Sequence, residues 1–228
     1  MSANVWQLLV DSFPDILLPG LIQTVPLTVI SFSIAFVIAV GVALIRYAHV
    51  PVLEQLARIY VWAVRGTPLL VQLYVVFYGL PSVGVRLASF PAAVIVFSIN
   101  EGAYCAEIMR AALEAVPVGQ MEAGYCVGMS YWQIMRRILL PQALRTAFPS
   151  LGNSLIAMVK DTSLASNITV AEMVMATKYI VGRTYQALPL YIELAVIYLM
   201  FSTVLEFLQR LGEKRLNASV GREVKRIA

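Results

Sequence analysis

The sequence predicts an all-α fold, an integral membrane bundle of five transmembrane helices, and three observations carry that expectation. Of 228 residues, 60% are hydrophobic and only 13% charged, whereas a soluble domain carries about 25% charged residues. The apolar residues gather into five stretches, and a helix needs about 20 such residues to cross about 30 Å of hydrocarbon. Finally, 13 of the 17 Lys and Arg fall in three segments that five crossings place on one side. The mean hydropathy of +0.78 agrees.

The first span is read over 21–45, since no charge interrupts Ile16 to Ile45. Residues 46–65 then carry Arg46, His49, Arg58 and Arg65 around Pro51, and apolar character resumes near Ile59 to give a second span over 59–80. Arg65 snorkels at its end, and Pro68 either kinks that helix or marks its true start. The third span, 88–109, holds Asn100 and Glu101 near its middle. The fourth, 147–170, contains Lys160-Asp161-Thr162-Ser163, and the fifth runs over 188–208.

Residues 46–65, 110–145 and 210–228 hold the basic majority, while Arg86, Lys178 and Arg183 face them from the other side. By the positive-inside rule the basic side is cytoplasmic, with the amino terminus out and the carboxyl terminus in. Asp11 and Asp15 precede the first apolar run and no Lys or Arg does, which is not the start of a cleaved signal peptide. The basic residues lie at span ends and form no single face, so no nucleic-acid partner is expected. Cys105 and Cys126 imply no disulfide framework, and His49, the only histidine, follows no metal-ligand spacing. Neither a metal site nor a catalytic residue is expected. No internal repeat is visible, and an odd span number argues against two equivalent halves, so a second subunit would supply the other half.

The loop over 110–145 reads as helix, turn, helix. Pro117 opens and Gly128 closes the first helix, with Val118, Met121 and Tyr125 on one side and the small Ala123 and Gly124 at its middle, where another surface can approach. Ser130 with Gln133 forms a capping box for the second, which carries Trp132, Met135 and Leu139 on one stripe and ends at Pro141. Read from residues alone, the loop either grips a partner protein or merely connects spans under its own bundle.

An ionisable residue at the middle of a span costs about 2.5 to 3.5 kcal/mol and points to function. Glu101, Lys160 and Asp161 are the candidates. An amino acid brings an ammonium that needs a carboxylate and a carboxylate that needs donors, which makes Asn100, Glu101, Asp161 and Thr162 candidate substrate contacts. The competing reading is an internal Lys160–Glu101 ion pair. Glu107, Arg110 and Glu114 have the spacing of a structural charge ladder.

The pattern Glu122-Ala123-Gly124, Gly128, Ile138 and Leu140-Pro141 resembles the cytoplasmic loop signature of membrane subunits of ATP-binding-cassette importers. Arg65-Gly-Thr-Pro-Leu-Leu-Val-Gln72, Gly102-Ala-Tyr104, Ala106-Glu107, Arg110, Leu140-Pro-Gln-Ala-Leu-Arg145, Asn153-Ser154 and Lys160-Asp-Thr-Ser-Leu164 resemble its polar amino-acid permease branch. The resemblance covers about residues 17–210. It implies a type I importer permease in a bacterial cytoplasmic membrane, paired with an identical or paralogous permease, a cytoplasmic ATPase dimer and an extracytoplasmic amino-acid-binding protein. It also implies that Gly119, Gln120, Glu122, Ala123 and Gly128 form the helix that enters a cleft of the ATPase. Gly124 stands where the family usually has alanine, which lowers helix propensity by about 1 kcal/mol. No phosphate-binding Gly-x-x-x-x-Gly-Lys-Ser/Thr occurs, so ATP and Mg would belong to the partner ATPase. A residue that is commonly small or uncharged in the family is Glu101 here, which suggests a basic or cystine-like substrate. The alternative is a secondary transporter in which Glu101 and Asp161 carry protons or sodium.

Overall fold

The computed structural model describes the backbone of residues 3–227 and the side chains of residues 5–216, and among them every regular element is helical. Helix α1 (Ala3–Pro19) continues through a π-turn (Gly20–Thr24) into α2 (Val25–Tyr47). Val5–Tyr47 therefore forms one apolar rod of 43 residues, about 64 Å long and about twice the hydrocarbon thickness. The expected first span is part of that rod. Gly20 lets it pack against later helices, because a Cβ there would lie 2.6 Å from Met173 Sδ and 3.2 Å from the Phe201 ring.

Along α2, Ser31, Ala35, Ala39 and Ala43 recur every four residues and are fully buried. Small residues at this spacing let helix backbones approach, which is how helices associate where lipid is as apolar as leucine. Helix α5 (Ser89–Glu114) packs along this stripe, with Cys105, Ala106 and Met109 sharing a core with Ala39 and Ala43. Gly102 marks the tightest approach, since a Cβ there would be 2.9 Å from Ile38 and 3.0 Å from the Tyr60 hydroxyl.

The expected span 59–80 is not one straight helix. Helix α3 (Pro51–Arg65) and the helical segment beginning with α4 (Leu69–Tyr74) and ending at Val83 meet at a 100° bend. The cause is local. Pro68 disfavours helical geometry at Thr67 and removes an amide donor, so Pro68 adopts an extended ψ of 136° and marks the start of α4. Gln72 then caps the break, its amide donating to Val64 O at 2.8 Å, Thr67 O at 3.1 Å and Thr67 Oγ1 at 2.8 Å.

Helices α6 (Val118–Cys126) and α7 (Tyr131–Ile134) form the loop after α5. Contrary to expectation, Pro141 does not end the second of them. A π-turn (Met135–Leu139) carries the chain from α7 into α8 (Leu140–Asp161), with the Leu140 amide reaching back five residues to Met135 O. The wider turn accommodates the donor that Pro141 lacks. The fourth expected span is accordingly α8 followed by a 3-10 segment (Thr162–Ile168). Helix α9 (Met173–Thr184) is capped by the buried Glu172 carboxylate, which accepts from Val174 N at 2.9 Å and Met175 N at 3.0 Å, and α10 (Ala187–Ile227) closes the bundle.

Among the described residues, Val5–Tyr47, Ser89–Glu114 and Ala187–Leu216 are long and apolar enough to cross a membrane, and the bent pair over Pro51–Val83 qualifies if taken as one. Helix α8 is long enough but carries Gln142, Arg145, Asn153, Ser154, Lys160 and Asp161. That polarity follows from what the helix lines.

Candidate functional site

Two grooves follow one another along α5 and α8 and share Arg65. The first, about 520 Å³, is lined by Asn100, Glu101 and Tyr104 of α5, by Ser154, Ala157 and Asp161 of α8, and by the broken segment Arg65–Leu69. The second, about 490 Å³, continues one or two turns along with Glu107 and Arg110 of α5 and Thr146 and Ser150 of α8. Non-helical backbone is tolerated inside a membrane where it lines a cavity, and the 100° bend does so here.

Three of the four residues expected to touch substrate meet in the first groove. Asn100 and Glu101 are only 7% and 9% exposed, and Asp161 reaches the groove from the end of α8. Asn100 is also committed to structure, donating from Nδ2 to Gln72 Oε1 at 3.1 Å and so tying the helix break to α5. Cys105 donates to Glu101 Oε1 at 3.3 Å. Thr162 is different: its side chain is fully buried and its hydroxyl donates to Val159 O at 2.6 Å, away from the lining. Lys160 is exposed and makes no ion pair among the described residues, so the alternative Lys160–Glu101 pair does not form.

Sequence reasoning treated Arg65 as a snorkelling cation. Its guanidinium instead lies 5.0 Å from the centroid of the Tyr104 ring, at the junction of the two grooves. The signal that could have revealed this is Pro68, since a helix broken there must turn Arg65 away from a simple span end. The groove thus offers two carboxylates, one guanidinium, the Asn100 amide, the hydroxyls of Thr67, Tyr104 and Ser154, and an aromatic face. The charge ladder is formed, with Arg110 contacting Glu107 at 3.0 Å and Glu114 at 2.6 Å, and Arg46 of α2 also pairs with Glu107. Two buried acids went unnoticed in the sequence. Glu172 accepts from the Tyr198 hydroxyl at 3.0 Å, and Glu193 from Ser12 at 2.6 Å.

The loop forms a second candidate site. Helix α6 closes with a Schellman motif, Met129 N bonding Gly124 O at 3.0 Å and Gly128 N bonding Tyr125 O at 2.9 Å, with Gly128 at φ +78°. Ser130 and Gln133 make the expected capping box. The two small residues at the middle of α6 are separated by the fold. Ala123 is exposed, whereas Gly124 is buried and a Cβ there would lie 2.6 Å from Ile134 Cγ1. Gly124 therefore lets α6 press onto the chain's own α7, and the surface left for a partner is the other face. That face carries Gly119, Glu122 and Ala123, all exposed, with Val118 at 73% and Tyr125 at 50% exposure, whereas Gln120, also exposed, accepts from Gln142 Nε2 of α8 at 3.4 Å. The expected stripe in the second helix is divided likewise, Met135 and Leu139 entering the core and Trp132 staying exposed. Burial pushes the Tyr131 phenol above its ordinary range.

Comparison with known proteins agrees with this architecture. Residues 35–218 match the family of binding-protein-dependent transport system inner membrane components. The L-cystine transport system permease protein TcyB of Bacillus subtilis is 45% identical over 222 residues, covering 97% of this chain and 95% of that one. The glutamine transport system permease protein GlnP of Escherichia coli is 34% identical over 213 residues, covering 92% and 97%. A crystal structure of an amino acid ABC transporter with histidines superposes with a TM-score of 0.86 at 34% identity, covering 94% of this chain and 100% of that chain. The inward-facing MetNI methionine transporter, at 20% identity and a TM-score of 0.73, shares the fold. With its described helices, its broken α3–α4 segment and its polar groove, the chain belongs to the binding-protein-dependent transport system inner membrane components, the permease subunits of ATP-binding-cassette transporters.

Proposed function

We propose that this permease imports a polar amino acid, basic or cystine-like, and that the groove between α5 and α8 is its substrate path. The meeting of Glu101, Asp161 and Asn100 with Arg65 in one groove supports this reading above all. A zwitterionic amino acid needs a carboxylate for its ammonium and a cation for its carboxylate, and the groove presents both. Glu101 supplies a second anionic group for a basic side chain. The relatives named for L-cystine and glutamine transport fit the same class.

The groove is open along one side, so a second identical or paralogous permease closes it. Five spans with the amino terminus outside account for the chain if the bent α3–α4 pair counts once and α8 with its 3-10 extension counts once. Helix α6 then lies in the cytoplasm and fits a cleft of a partner ATPase dimer, which binds the ATP and Mg. The Schellman motif fixes its carboxyl end, and the exposed Val118 and Tyr125 flank Glu122 on the face that Gly124 leaves free. An extracytoplasmic binding protein delivers the substrate to the outer end.

Uptake by vesicles containing this chain, its ATPase and its binding protein tests the class. We expect uptake to require all three and ATP and to survive an uncoupler. Uptake that persists without nucleotide and collapses with the uncoupler would make the protein an ion-gradient transporter.

A further inference from the structure

A further cavity lies on a different side of α8 from the substrate groove. It occupies about 810 Å³ between α2, α8 and α10, and its walls are almost wholly apolar, with Phe36, Phe148, Leu155 and Leu205 among them. At one end it carries Arg145 of α8 and Arg215 of α10. Two glycines bring these helices together, since a Cβ on Gly152 would lie 2.5 Å from Gln209 and one on Gly212 would lie 2.6 Å from Phe148. That antiparallel contact puts Arg145 and Arg215 at the same level along the two helices.

Arg145 and Arg215 are both exposed at this end of an apolar groove, where two like charges together attract an anion. Among the described residues the chain provides none: no described Asp or Glu lines the cavity, and neither arginine makes an ion pair with one. Glu213 accepts instead from Gln209 at 3.0 Å. On α10 the lining runs from Leu205 to Leu216, about 17 Å at 1.5 Å per residue, close to the roughly 15 Å of one hydrocarbon leaflet. We propose that this groove binds an anionic phospholipid, with the acyl chains along α8 and α10 and the phosphate between Arg145 and Arg215. Basic pockets between spans take lipid headgroups in this way. The leaflet, though not the site, rests on the orientation proposed above, which makes it the cytoplasmic one.

The test uses the assembled transporter in nanodiscs of mixed phosphatidylglycerol and phosphatidylcholine, followed by gentle detergent extraction and native mass spectrometry. The parent should retain phosphatidylglycerol selectively. The double variant Arg145→Gln/Arg215→Gln should retain it about twenty-fivefold less, about fivefold for each charge removed. Lys214→Gln, which removes an exposed charge outside the lining, and the charge-preserving Arg145→Lys/Arg215→Lys should both hold the lipid. Equal retention of the two lipids by the parent, or undiminished retention by the double glutamine variant, would overturn the proposal. A second readout places Trp at Leu155 in an otherwise Trp-free background, where brominated phosphatidylglycerol should quench its fluorescence. An unquenched Trp in the assembled transporter would show that a neighbouring subunit covers the groove, and would overturn the proposal equally.

Discussion

Substituting Gly124 by Ala sets two effects of opposite sign against each other. Ala gains about 1 kcal/mol of helix propensity over Gly. The added Cβ, however, would lie 2.6 Å from Ile134 Cγ1 and 2.9 Å from its Cδ1. Ile134 is fully buried in the core it shares with α2, α5 and α8, where side chains are close-packed. Overpacking of this kind costs about 1 to 3 kcal/mol, so the clash outweighs the propensity and Gly124→Ala destabilises by up to about 2 kcal/mol. Replacing Ile134 by Ala removes both clashing carbons, at its own cost of about 2 to 5 kcal/mol. In that background Gly124→Ala should become stabilising by about 1 kcal/mol. The sign of the effect therefore reverses between backgrounds, and the thermal midpoint of the detergent-solubilised transporter, followed for the four members of the cycle, reads it directly. Gly124→Ala shifting the midpoint the same way with Ile134 present and absent would refute the packing argument.

Gly128→Ala forces a side chain into φ +78°, costing about 1 to 2 kcal/mol at the end of α6, and should lower substrate-stimulated ATP hydrolysis by the reconstituted transporter more than it lowers assembly, as gel filtration would show. Gln72→Ala orphans the carbonyls of Val64 and Thr67 and the Asn100 amide, so uptake should fall severalfold, and Gln72→Glu, which keeps the acceptor for Asn100 but sets a carboxylate oxygen against both carbonyls, should not recover it. Ser12→Ala removes the 2.6 Å donor to Glu193, which should lower the thermal midpoint by the equivalent of about 1 to 3 kcal/mol, while Ser12→Thr should leave it near the parent.

Much of this was legible in the chain because the signals were local. Gly128 and the Ser130–Gln133 pair announced the ends of their helices through backbone chemistry that needs no tertiary context. The charge ladder over Glu107, Arg110 and Glu114 follows from helical spacing alone. Asn100, Glu101 and Asp161 stood out because polar groups amid apolar stretches demand a reason, and they do share a groove. Thr162 did not follow them, since a hydroxyl in a 3-10 turn can satisfy itself on the preceding carbonyl, a choice that composition does not reveal. Arg65 was read only as a span-end cation because Pro68 announces a break but not its angle, and it is the 100° bend that leaves the guanidinium over Tyr104. Gly124 was misplaced for a similar reason. A small residue permits close approach, but only the packing shows that the approaching surface is the chain's own Ile134. Glu172 and Glu193 escaped notice because their partners, Tyr198 and Ser12, are distant in sequence.

The central claim is that the groove holding Glu101, Asp161 and Arg65 carries the substrate, and Glu101→Gln tests it most directly. The change keeps the shape of a buried side chain and removes its charge. A charge-assisted hydrogen bond is worth about 1.5 to 3 kcal/mol, or about ten- to a hundredfold in affinity. Initial uptake of a basic and of a neutral amino acid, measured in the same vesicles with assembly verified, should show the basic one falling at least about tenfold and the neutral one changing little. Equal rates for both substrates in mutant and parent would contradict the account and remove Glu101 from the substrate path.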